Sequence, residues 1–128
     1  MEKIRVVYLD VLGGRAPQIL TIRENNDLFY KLLNCNSLEV VTAKIAGIPV
    51  RIICDEEFLF KDPFIPSAVT PGCAGVLYGN LIICGYDIVG EGYLTGLSES
   101  DCRLILSKQT LLLCCNQTRL TYAFEIEK

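Results

Sequence analysis

Five residues of this 128-residue chain have the types and spacing to hold a ligand: Arg51, Tyr78, Asn80, Tyr86 and Tyr93. Arginine grips phosphate or carboxylate through a planar fork of donors, and tyrosine rings stack on flat ligands. An asparagine amide both donates and accepts. Together such residues could bind a small nucleotide-like anion without transforming it. Arg5, Arg15 and Arg23 are further candidate anion ligands. Taken singly, each of these residues is an ordinary strand-face or solvated side chain. Only convergence of several in one pocket makes a site.

Other chemistry is more restricted. The chain has no histidine, which removes the commonest general base, Ser-His and Cys-His activation, and most zinc sites. Asp55-Glu56-Glu57 with Asp62 offers carboxylates to a hard cation. Adjacent acids more often end a strand in solvent, and no calcium-loop spacing is present. Gly85, Gly90, Gly92 and Gly96 punctuate a loop whose backbone amides could cradle phosphate. The loop matches neither the Walker nor the dinucleotide fingerprint, so two tight turns are the better reading. Seven cysteines, at 35, 54, 73, 84, 102, 114 and 115, form no C-x-x-C pair and fall largely in apolar runs. They are expected to be reduced and structural, with Cys114-Cys115 the exception in which one thiol faces out. Asn116-Gln117-Thr118 matches a glycosylation acceptor by chance. The expectation is a non-enzymatic protein with no catalytic residue, metal or cofactor.

The elements that must position the candidate residues are legible from periodicity. Ile4 to Leu9 reads as a first strand, Gly13-Gly14 as a turn, and Gln18 to Arg23 as the returning arm of a hairpin. Asn25-Asn26-Asp27 caps a short helix carrying Leu28, Phe29, Leu32 and Leu33, which stops at Asn34 to Asn36. Leu38 to Ile45 and Ile48 to Cys54 make a second hairpin about Ala46-Gly47, with Arg51 on the face opposite Val50 and Ile52. Three prolines between Phe58 and Gly75 predict a long irregular loop pinned by its apolar residues. Val76 to Tyr86 is expected as one buried strand leading into the glycine loop, and Ser98 caps a second helix. Gln109 to Cys115 and Leu120 to Ile126 form a closing strand pair. Hairpins outnumber helices, which gives a single α+β domain: a mainly antiparallel sheet built from hairpins with two short helices.

Composition fits an ordinary globular protein, with 51% hydrophobic and 21% charged residues. The net charge of −3 with no basic block argues against duplex nucleic acid as a partner. No apolar run approaches the roughly 20 residues of a membrane span, and Met1-Glu2-Lys3 does not open a signal-peptide core. A cytoplasmic protein away from the membrane is expected.

The order of "IRVV", "LEVV", "ICDEE", "FKDPFIPSAV", "LYGNLIICGYD" and "EGYLTGLSESD" closely resembles the domain of unknown function 3846 family over residues 3 to 108. The resemblance implies a phage or mobile-element protein in a bacterial host cell and assigns no catalytic residues. The chain departs from the family in apolar insertions around Ile45 to Ile48 and in the extra pair Gln109 to Ile126.

The leading expectation is therefore an accessory protein that binds a small ligand, in a specific version a sponge sequestering a nucleotide-derived immune signal. The alternative is a protein–protein interaction module that inhibits a host protein. A Cys- or Asp-based enzyme is the third. Arg51, Tyr86 and Tyr93 near the glycine loop are the expected ligand contacts. The closing strand pair carries little charge and lies at the chain terminus, so a homo-oligomer paired through an exposed edge is also expected.

Overall fold

Alternating apolar residues in the first strand put Val7 and Leu9 on one face and Val6 and Tyr8 on the other, and all four are buried. A strand buried on both faces needs layers above and below it. A computed structural model, describing residues 3–57, 65–70, 75–114 and 119–127, shows those layers. The strands are β1 (Lys3–Leu9), β2 (Gln18–Arg23), β3 (Leu38–Ile45), β4 (Ile48–Asp55), β5 (Pro66–Val69), β6 (Gly75–Tyr78), β7 (Leu81–Tyr86), β8 (Leu94–Thr95), β9 (Gln109–Cys114) and β10 (Arg119–Glu125). The helices are α1 (Asn26–Leu33) and α2 (Glu99–Leu106).

One sheet runs β2-β1-β7-β4-β3 with β8 added to β7, and the other runs β6-β5-β10-β9. Pairing is antiparallel except between β5 and β10. The fold is α+β and mainly antiparallel. Its larger core lies between the sheets: Val7, Leu9, Val50, Ile52, Leu81 and Ile83 meet Ala68, Leu77, Phe124 and Ile126. Helix α2 closes one flank of that core with Cys102 and Ile105. Helix α1 covers part of the outer face of the first sheet, packing Phe29 and Leu33 on Val6, Tyr8, Ile53 and Ile82.

Local chemistry explains the ends of both helices. Asn25 Oδ1 accepts from the amides of Asp27 and Leu28 at 2.8 and 3.3 Å. Asn34 ends α1 at φ 52° and ψ 53°, the left-handed conformation that asparagine tolerates. Ser98 Oγ accepts from the Asp101 amide at 3.1 Å and starts α2. The β3–β4 turn has Ala46 and Gly47 at φ 54° and 77°, matching the twist of the strands it joins.

Three expectations are corrected. The stretch Val76 to Tyr86 is not one strand: it breaks at Gly79, φ +82°, and Asn80, so that β6 and β7 serve different sheets. The proline-rich stretch is not wholly irregular, because β5 occupies Pro66–Val69. Pro66 is its first residue, where a missing amide donor costs least. In the closing pair β10 is not an edge, since it lies between β5 and β9 and buries Phe124 and Ala123, and of the two only β9 stands at the sheet's edge. The expected anchors Phe58, Leu59, Phe60 and Phe64, and the Asn116-Gln117-Thr118 turn, lie outside the described residues.

Candidate functional site: the braced loop after β7

Strand β7 delivers Tyr86 to the outer face of the first sheet, beyond the part that α1 covers. Arg51 shares that face. Its backbone pairs with Thr42 on one side and Cys84 on the other, so Tyr86, two residues along β7, is its diagonal neighbour. The guanidinium lies over the Tyr86 ring at 4.5 Å from the centroid, a cation–π contact. From there it donates through Nη1 to the carbonyl oxygen of Gly92.

That bond ties down the segment from Asp87 to Tyr93. The Asp87 amide donates to the Tyr93 carbonyl at 2.9 Å, closing the base of the loop. Asp87 Oδ1 accepts from the Gly90 amide at 3.0 Å, an Asx arrangement that fixes the turn. Gly92 sits at φ +79°, and a Cβ there would approach Arg51 Nη2 to 3.1 Å. Only glycine gives both the conformation and the close approach. The Tyr93 hydroxyl donates to Glu91 Oε2 at 2.8 Å.

The loop is braced at its base and bare at its tip. Val89 is 98% exposed and Ile88 61%. Two consecutive β-branched aliphatics this exposed gain little from burial within the chain. Beside the loop, on the other side of Tyr86, Thr42, Ala43, Lys44, Pro49, Tyr86 and Glu127 line an open groove of about 350 Å³.

The five candidate ligand residues do not come together. Arg51, Tyr86 and Tyr93 gather at the loop. Tyr78 lies on β6 in the second sheet, which packs on the opposite face of the first. Asn80 is 5% exposed, and its amide is used inside the protein. Its Oδ1 accepts from the Leu12 amide at 3.0 Å, while Nδ2 donates to the Leu32 carbonyl at 3.1 Å and the Tyr8 hydroxyl at 3.4 Å. The arginines are spread as well. Arg5 donates to the Leu97 carbonyl at 3.4 Å, Arg15 sits in the β1–β2 connection, and Arg23 ends β2 opposite Lys3.

Of the acidic run, Asp55 serves the backbone. Asp55 is buried, and its Oδ1 accepts from the Glu57 amide at 2.9 Å. Among the described residues no cluster of acids and thiols has the makings of a metal site. The thiols of Cys35, Cys54, Cys84 and Cys102 are buried. Burial, helped by neighbouring acids, pushes the Cys54 and Cys84 thiols up to about 12, and burial raises Cys102 too. Such thiols stay protonated at neutral pH and are poor nucleophiles.

Sequence reasoning missed Ile88, Val89, Lys44 and Pro49. The signal for the first two was present: an aliphatic pair between an aspartate and a glycine three residues on, where a tight turn leaves side chains nothing to pack against. Comparison with protein-family models, with curated proteins and with solved structures finds no match to this chain. Among the described residues no helix is long and apolar enough to cross a membrane.

Proposed function

We propose that this protein is a non-enzymatic interaction module that engages a protein partner through the loop from Asp87 to Tyr93. The observation that carries this reading is the contrast between the braced base of that loop and its exposed Ile88 and Val89. An aliphatic knob held in one conformation loses little entropy on docking, so its apolar area converts more fully to affinity. The small-ligand reading has less support, because Arg51 is already stacked on Tyr86 and bonded to Gly92, and Asn80 is occupied elsewhere. Sequestration of a nucleotide-derived signal would need several of those groups in one pocket. A phage or mobile-element setting rests on the motif order of residues 3 to 108.

Site-specific photo-crosslinking in bacterial cells tests the module. A photoreactive phenylalanine analogue at position 89 should give a discrete protein adduct. The same probe at Leu104, 51% exposed on α2, serves as the control and should give none. No adduct from position 89, or the same pattern from both positions, removes the proposal.

A further inference from the structure

We infer that the loop's partner is a second copy of this chain, whose groove beside Tyr86 receives Ile88 and Val89. The inference rests on the docking reading above and names the occupant. The loop and the groove flank the same residue, Tyr86, on the same face of the first sheet. A two-fold axis near that ring therefore sets each loop against the other copy's groove in a single operation, and every contact is made twice. A heterologous arrangement would leave one loop and one groove uncovered.

The chemistry of the two halves matches. Pro49 and the Tyr86 ring give the groove apolar walls for the aliphatic pair. Its volume of about 350 Å³ lies at the small end of ligand pockets, which run from about 300 to 1,000 Å³. Such an open space has room for two aliphatic side chains. Lys44 stands at the rim with Arg51 close by, and the loop brings Glu91 and Asp87. Glu127 is the one acid in the groove, so the local balance still favours an acidic loop. Lys44 and Glu127 also exchange backbone hydrogen bonds, at 3.3 and 2.7 Å. They block strand pairing at that end of the β3 edge and leave the side-chain face as the docking surface.

Sedimentation velocity and light scattering across a dilution series from roughly 100 µM, where even a weak complex is populated, should show a dimer. Val89→Asp should give a monomer with an unchanged circular dichroism spectrum. Leu111→Asp, on the exposed face of edge strand β9, should leave the dimer intact. Lys44→Glu and Glu91→Lys should each weaken the dimer at least about tenfold, the usual cost of a like-charge contact made twice. A one-to-one mixture of these two variants should restore dimerisation, because each loop then meets a groove of opposite charge. A dimer lost by Leu111→Asp and kept by Val89→Asp overturns the inference, as does a mixture that stays monomeric. A protein that is monomeric throughout, yet gives a heterologous adduct from position 89, also overturns it while the docking reading stands. Monomer with no adduct ends both.

Discussion

Asn80 joins three parts of the chain through one amide: the start of the β1–β2 connection at Leu12, the end of α1 at Leu32, and Tyr8. Removing it would take the acceptor from the half-buried Leu12 amide, a loss of about 1–3 kcal/mol, while the Leu32 carbonyl keeps its bond from the Tyr8 hydroxyl at 2.6 Å. Asn80→Ala should therefore lower unfolding stability by about 1–3 kcal/mol in urea titrations. Arg51→Ala should lower it much less, by about 1 kcal/mol for a half-exposed cation–π contact. Its larger effect should be faster hydrogen exchange at the Gly90 and Gly92 amides. The buried thiols make a second prediction at this scale. With folded pKa values near 12 for Cys54 and Cys84 and ordinary values unfolded, the unfolded chain releases protons first as pH rises. Stability should be level below about pH 8, then fall by about 1.4 kcal/mol per pH unit per thiol toward pH 12. Tyr8, also pushed up to about 12 chiefly by burial, adds to the same slope above pH 10. Unfolding measured under reducing conditions from pH 6 to 11 checks the sign. A rise in stability across that range contradicts the assignment.

At the scale of elements, what depended on neighbouring residues was legible in the sequence. The asparagines around α1, the serine before α2 and the Ala46-Gly47 turn act through bonds spanning four residues or fewer, so their sequence signals became structure. Asn25→Ala accordingly should cost about 1 kcal/mol and loosen α1 over Ile53 and Ile82, measurable as a lower thermal midpoint. What depended on distant partners was not legible. Within Val76 to Tyr86 the pair Gly79-Asn80 marks a turn, but two equally apolar halves do not say that they belong to different sheets. The divide falls at Gly79-Asn80, and its reason lies in Leu12 and Leu32. The candidate site divides the same way. Arg51 and Tyr86 were expected to be neighbours and are, through the β4–β7 pairing. Tyr78 and Asn80 were grouped with them by closeness in sequence, and the break before β7 separated them.

The whole molecule depends on its last strand. Strand β10 holds β5 on one side and β9 on the other, and Phe124 and Ile126 enter the core between the sheets. A chain ending at Lys108 would leave Val7, Leu81 and Ile83 partly uncovered and β5 with only β6 beside it. Such a truncation should lack a cooperative unfolding transition and should bind hydrophobic dyes. A sharp thermal transition in it would mean that the second sheet is dispensable. The order of pairing also has a consequence in time. β1 meets β7 across the whole span between them, and β5 waits for β10. Contacts this distant slow folding, since the chain must close large loops before those contacts reward it. During synthesis the first hairpin emerges long before the strand that completes its sheet. A growing chain therefore carries bare apolar edges until β10 has been made, and its yield in cells should respond to chaperone supply more than to any single surface substitution.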